Sequence, residues 1–222
     1  VAVTADLKAG AGKGGDAEGD TYTRVENLTG SAFNDTLTGN DGNNVIDGGA
    51  GADTIDGGAG SDTVSYAAAF LREKGTPKDP LKGVEVHLDG TVSHGGDAEG
   101  DKLTNVEHVI GSDRNDALYG AASADTLDGG KGDDLLVGGG GADVLKGGEG
   151  TDTASYAASS AAVAAYLDGT AGTGADAQGD TLSGIENLVG SAFDDTLVGA
   201  DQDNVLAGGA GADRIDGGAG ID

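Results

Sequence analysis

From Gly30 the chain repeats every nine residues: GSAFNDTLT, GNDGNNVID, GGAGADTID, GGAGSDTVS. The same register returns from Gly111 as GSDRNDALY, GAASADTLD, GGKGDDLLV, GGGGADVLK and GGEGTDTAS, and from Gly190 as GSAFDDTLV, GADQDNVLA, GGAGADRID and GGAGID. Position six is always Asp or Asn: Asp35, Asn44, Asp53, Asp62, Asp116, Asp125, Asp134, Asp143, Asp152, Asp195, Asn204, Asp213 and Asp222. Position eight is aliphatic, from Leu37 and Ile46 to Leu206 and Ile215, with Ala154 the small exception. A disordered Gly/Asp tract would not hold an aliphatic residue two places after each acid. A helix is excluded too, because each interior glycine costs about 1 kcal/mol relative to alanine. Six turn-forming residues followed by three that alternate polar, aliphatic, polar make a turn and a very short strand. Two such pieces close one flattened coil of eighteen residues, and stacked coils give two parallel sheets back to back with the aliphatics between them.

A second repeat of roughly eighty residues encloses the first. GGDAEGD at Gly14 returns at Gly95 and as GADAQGD at Gly174, while VENL at Val25 returns as VEHV at Val106 and IENL at Ile185. SYAA follows the array at Ser65 and again at Ser155. The expected units are 1–70 (nonapeptides 30–65), 71–160 (an exposed insertion, then nonapeptides 111–155) and 161–222 (nonapeptides 190–222, broken off within a repeat). The insertion, FLREKGTPKDPLKG, carries both prolines and reads as a surface loop. An alternating strand follows at Val84, Val86 and Leu88. The start at Val1 and the stop at Asp222 suggest a piece of a longer protein.

Charge makes this architecture conditional. The chain has 39 acidic and 12 basic residues, a formal charge of -27, and 45 glycines. One aliphatic side chain per nine ordered residues is a thin core for so much glycine. Stacking also sets sixth-position carboxylates about 4.8 Å apart, the strand spacing, where like charges oppose folding. A cation from outside resolves the conflict. With no Cys and three His in the chain, the donors are carboxylate and carbonyl oxygens, which select a hard ion. Irregular glycine turns suit Ca²⁺ better than the strict octahedron of Mg²⁺. The ligand pairs expected one coil apart are Asp35–Asp53, Asn44–Asp62, Asp116–Asp134, Asp125–Asp143, Asp134–Asp152, Asp195–Asp213 and Asn204–Asp222. Sites with Asn should be the weaker ones. The opening glycines Gly48, Gly57, Gly129, Gly138, Gly147, Gly208 and Gly217 complete the candidate set. Further candidates are Glu26, Glu107 and Glu186, nine residues before each array's first Asp, and the loop acids Asp16, Glu18, Asp20, Asp97, Glu99, Asp101, Asp176 and Asp180. About seven to ten calcium ions are expected.

The nonapeptide resembles G-G-x-G-x-D-x-(aliphatic)-x, the calcium-binding repeat of the RTX, or hemolysin-type, proteins. GGAGADTID and GGAGSDTVS fit at every fixed position, and GGEGTDTAS at all but the last aliphatic. The resemblance implies a parallel β-roll, type I secretion in an unfolded, calcium-poor state, and folding outside the cell or at its surface. GNDGNNVID, GADQDNVLA and GAASADTLD depart from the pattern. The expected role is therefore a calcium-binding segment of a large secreted bacterial protein. Its rivals are an accessory module of a secreted protease, lipase or alginate epimerase, and an extender of an adhesin or surface layer, with a polysaccharide or cell-surface partner.

Other readings are weaker. The acidic balance disfavours nucleic acid and anionic membranes, and no apolar run reaches the ~18 residues of a membrane span. His87, His94 and His108 all fall in the middle unit and read as isolated surface residues. Tyr66 and Tyr156 read as covers over the last rung of their arrays. The acids recur by translation, without the unique cleft of a glycosidase, and no Ser/His/Asp or phosphate-loop pattern occurs; no enzyme is expected.

Overall fold

The computed structural model describes residues 1–69 and 82–222. The insertion read as a surface loop falls on 70–81, outside the described residues; its last two residues, Lys82 and Gly83, open a strand. Three-residue strands dominate, and in the first array each nonapeptide carries one on its tail: Thr36–Thr38, Val45–Asp47, Thr54–Asp56 and Thr63–Ser65. They pair in parallel with a register of one coil, Leu37 with Ile55 and Ile46 with Val64. The chain is a parallel β-roll of eighteen-residue coils.

The aliphatic rungs stack as the pattern requires. One face carries Leu28, Ile46, Val64, Val109, Leu127, Leu145 and Leu182 in register through seven strands. The opposite face carries Ala5, Leu37, Ile55 and Leu103, then Val86, Leu118, Leu136, Ala154, Leu188 and Leu206. Most of these side chains are fully buried, which is where the apolar stabilisation of each coil resides.

The links between arrays keep the stack going. Thr54–Asp56 pairs with Lys102–Thr104, and Thr63–Ser65 with His108–Ile110, so the second array continues the first. Val144–Glu149 and Thr153–Ser155 meet Thr181–Ser183 and Asn187–Val189 in the same way. A seven-stranded sheet spans the first junction unbroken, while the opposite sheet ends there at Lys102–Thr104. At the second junction the faces exchange roles: the seven-stranded sheet ends at Thr181–Ser183, and the other face runs on to Val205–Ala207. Each nonapeptide makes half a coil, so the odd fifth copy in the middle array moves the break to the opposite face.

The GDA segments of the first two linking loops and the ADA segment of the third each form a single 3₁₀ turn: Gly15–Ala17, Gly96–Ala98 and Ala175–Ala177. The corner that follows turns on a left-handed residue at three equivalent places, Arg24, Asn105 and Gly184. Those corners shorten the path between faces.

Candidate metal centre

Every expected pair is brought together, by a contact that spacing alone does not specify. The backbone N–H of each sixth-position residue donates to the carboxylate one coil on: Asp35 to Asp53 at 2.8 Å, Asn44 to Asp62 at 2.7 Å, Asp116 to Asp134 at 2.8 Å, Asp125 to Asp143 at 2.9 Å and Asp134 to Asp152 at 2.8 Å. Asp195 donates to Asp213 at 3.0 Å and Asn204 to Asp222 at 2.9 Å. The columns also cross the junctions. Asp53 donates to Asp101 and Asp143 to Asp180, each at 2.8 Å; Asp62 donates to Glu107 and Asp152 to Glu186, each at 2.9 Å. These links use one oxygen of each acceptor, Oδ1 or, in the two glutamates, Oε2.

The second oxygen divides the acids into two kinds. In the copies that open an array, Oδ2 is satisfied within its own turn: Ser31 N–H donates to Asp35, Ser112 N–H to Asp116 and Ser191 N–H to Asp195. The serine hydroxyls add to this, and Oδ1 accepts from Val3, Val84 and Val163. In the next copies Asp125 is held by Ala121 N–H and the Ser123 hydroxyl, while Asn44 and Asn204 accept from Asn40 and Ala200. The two asparagine amides donate to the Glu26 and Glu186 carbonyls, a bond no aspartate could make. Asp53, Asp62, Asp134, Asp143 and Asp152 are different. Each is buried with an Oδ2 that has no hydrogen-bond partner. A buried, unpaired carboxylate oxygen is costly.

Glycine chemistry decides the division. All five orphaned oxygens lie in copies with Gly at positions two and four, and those glycines are left-handed: Gly49 (φ 88°) and Gly51 (φ 134°), for example. Where Ser, Asn or Ala holds position two, φ is not positive and the N–H turns inward to cap the acid. Where Gly holds it, the N–H can turn outward, as Gly49 and Gly58 do toward Asp47 and Asp56. The inward space is left to oxygen. A methyl group built on Gly129 would collide with Asp134 Oδ2 and lie 2.7 Å from Gly147 O. One on Gly57 would meet Asn105 O and Asp62 Oδ2, and one on Gly147 would meet Gly184 O and Asp152 Oδ2. Gly48, Gly138, Gly208 and Gly217 face the acids of their own copies in the same manner. The result is a row of all-oxygen cradles that any side chain at the opening glycine would fill.

Burial raises these acids. Asp134 and Asp143 are pushed up to about 7, and Asp53 and Asp152 to about 6, by loss of water, against the lowering effect of the N–H from the previous coil. Asp62 is raised for the same reason, with Glu107 adding to it.

The linking-loop acids have other partners. Asp101 Oδ2 accepts from the Tyr66 hydroxyl at 2.8 Å and Asp180 Oδ2 from Tyr156 at 2.9 Å. Both tyrosines are buried at the ends of their arrays, and each supplies a proton where an array acid has an orphaned oxygen. Tyr66→Phe should leave Asp101 Oδ2 unpaired and cost about 1–3 kcal/mol. Urea unfolding in calcium measures this, and an unchanged midpoint would contradict the assignment. Glu18, Glu99 and Gln178 fold back onto Gly14, Gly95 and Gly174 N–H. Asp16 and Asp176 sit on the 3₁₀ turns, as does Asp97, which is buried there. Asp20 and Glu26 are exposed, in the stretch that leads into the first array. Among the described residues no three His, Asp or Glu side chains converge as a metal cluster. His87 stacks on Tyr119, His94 lies near Glu99 and His108 bonds Ser61.

A second ladder went unseen in the sequence. Position-five side chains accept the position-five N–H one coil on: Asn34 from Ala52, Asn43 from Ser61, Asn115 from Asp133, Asp133 from Thr151, Asp194 from Ala212 and Asp203 from Ile221. Its signal was the paired Asn/Asp at positions five and six, legible once the coil spacing is known.

No helix among the described residues is long and apolar enough to cross a membrane. No curated protein matches the chain. The family model of the RTX calcium-binding nonapeptide repeat matches in four copies, at residues 29–64, 106–136, 119–154 and 189–222, together more than half of the chain. RTX nonapeptide repeats bind calcium and occur in secreted bacterial proteins. On the matched repeats and the coil they build, this chain belongs to the RTX calcium-binding nonapeptide-repeat family.

Proposed function

We propose that this segment is a calcium-triggered β-roll of a secreted protein, with seven ion sites, one at each copy carrying Gly at positions one, two and four. Asp53, Asp62, Asp134, Asp143 and Asp152 hold the five interior sites, and Asp213 and Asp222 hold two at the C-terminal coil. The orphaned Oδ2 atoms carry the reading. The opening-glycine carbonyls, and Asn105 O and Gly184 O at the junctions, complete the donor sets. The capped acids Asp35, Asp116, Asp125 and Asp195, with Asn44 and Asn204, support the neighbouring coil through their N–H groups rather than holding an ion with both oxygens. Calcium, when bound, supplies the positive charge that seven stacked acids lack. At a hundredfold excess of calcium over Kd each site adds about 2.7 kcal/mol to folding, and stacked neighbours make the transition cooperative. The sheet that continues through a junction supports a stiff extending role in the parent protein, folded after export into a calcium-rich medium.

Far-UV circular dichroism during a calcium titration, with magnesium in parallel, tests this. A steep gain of β-signal in calcium alone is expected. A chain equally sheet-rich in chelator, or unchanged at millimolar calcium, would reject the reading.

A further inference from the structure

Counted back from Asp101, the middle linking loop GDAEGDKLT has the frame of one more copy, with Gly96 at position one, Asp97 at position two and Leu103 at position eight. The third loop repeats this as ADAQGDTLS, with Asp176 at position two and Asp180 at position six. Both lie outside the residues that the RTX repeat model matches. Each loop forms the next coil beyond an array acid: Asp53 N–H donates to Asp101 Oδ1 and Asp143 N–H to Asp180 Oδ1, each at 2.8 Å. A methyl group built on Gly100 would lie 2.6 Å from Ala52 Cβ, and one on Gly179 would lie 2.8 Å from Ala142 Cβ. The loops therefore sit directly on the turns that hold Asp53 and Asp143.

These two turns differ from the other interior sites. At Gly57, Gly129 and Gly147 the next coil brings up a carbonyl, Asn105 O, Gly147 O and Gly184 O in turn. At Gly48 and Gly138 the nearest atoms all belong to Asp53 and Asp143. The loop's own sixth-position acid is engaged, because its Oδ2 accepts a tyrosine hydroxyl, Tyr66 for Asp101 and Tyr156 for Asp180. What the loop offers instead is Asp97, only 4% exposed, and Asp176, half-buried. Loss of water raises Asp53 and Asp143, and the charges of Asp97 and Asp176 raise them further. Both turns also carry a buried Oδ2 with no hydrogen-bond partner.

We infer that Asp97 and Asp176 are calcium ligands, each setting a carboxylate where the other interior sites have a carbonyl of the next coil. The exchange adds one negative charge to a site of otherwise similar oxygens, and calcium affinity follows ligand charge. The Asp53 and Asp143 sites therefore fill first. An ion at either one fastens a linking loop to the array before it, ahead of the remaining sites. The inference rests on the calcium-folded coil proposed above.

Terbium luminescence, and calorimetry with calcium, test it on the whole chain. Tyr66 and Tyr156 bond the acids of these two loops, so a terbium ion at either site lies close to a tyrosine that sensitises its emission. In wild type the first two equivalents of terbium should bring most of the tyrosine-sensitised signal. A signal that grows evenly over all equivalents would overturn the inference. Asp97→Asn combined with Asp176→Asn should weaken the two tightest calcium sites about tenfold, with the full sheet signal still reached by circular dichroism at saturating calcium. Glu99→Gln removes a charge from the same loop but keeps the acceptor for Gly95 N–H, as Gln178 does for Gly174. It should titrate like wild type. A double variant as tight as wild type, or Glu99→Gln weakened as much as the double variant, would also overturn the inference. Wild type that gains no sheet signal in calcium would strike the calcium reading instead, so the two failures are distinguishable.

Discussion

Gly129→Val should abolish cooperative calcium-induced folding of the middle array at calcium levels that fold the wild type. Gly129 faces Asp134 Oδ2 and Gly147 O, and a side chain there would occupy the space between them. Two losses combine. The ion of the proposed site would contribute about 2.7 kcal/mol at a hundredfold excess over Kd, and overpacking a rigid turn adds about 1–3 kcal/mol. A total near 4–6 kcal/mol is of the order of a whole domain's stability. Gly140→Val is the control. Gly140 stands at position three of its copy, has no positive φ, and a methyl group there would lie 3.8 Å from Ala122 Cα, an ordinary contact. That variant should titrate like wild type. Circular dichroism and isothermal calorimetry check both, and similar curves for the two variants would remove Gly129 from the ion site.

The second large effect is a partial exchange of protons for calcium. In the metal-free fold Asp134 and Asp143 titrate near 7 and Asp53 and Asp152 near 6, against 3.8 for the ordinary side chain. Raised acids bind more protons in the folded chain than in the unfolded one. Stability of the metal-free fold therefore rises as pH falls through 7 and 6, is fully gained below about 4, and is lost again as pH rises through 6 to 7. A tenfold gain in proton affinity on folding corresponds to about 1.4 kcal/mol, less where solvent screens the carboxylate. The chelated chain should accordingly gain sheet signal and compactness between pH 8 and pH 5. Calcium should bind less tightly over the same interval, because protons and ions compete for the same oxygens. Dichroism with small-angle scattering in chelator, at both pH values, reads the first effect, and calorimetry reads the second. A chelated chain equally expanded at the two values would contradict the buried carboxylate columns.

Much of this was legible from residues. The beat of Asp at position six and an aliphatic at position eight implied the half-coil, and the eighteen-residue register follows in every array pair. Ser65-Tyr66 and Ser155-Tyr156 marked the ends of the arrays, but their sequence did not reveal that the hydroxyls reach Asp101 and Asp180, acids 35 and 24 residues away. Nor did the linking loops reveal that they continue the stack, because their corners shorten the path and break the nine-residue count. The position-five ladder lies within the arrays and becomes legible only once the eighteen-residue coil spacing is known.

Local chemistry, readable residue by residue, fixed the strand tails, the glycine turns and the sign of the missing charge, since each depends on neighbours within nine positions. Only the tertiary structure decided what those residues do to one another: that glycine at positions two and four leaves a carboxylate oxygen free, and that the count of copies sets the face on which each sheet breaks. Those outcomes depend on where an N–H points after its turn has chosen a left-handed or right-handed path, and on whether an array holds an odd or even number of half-coils.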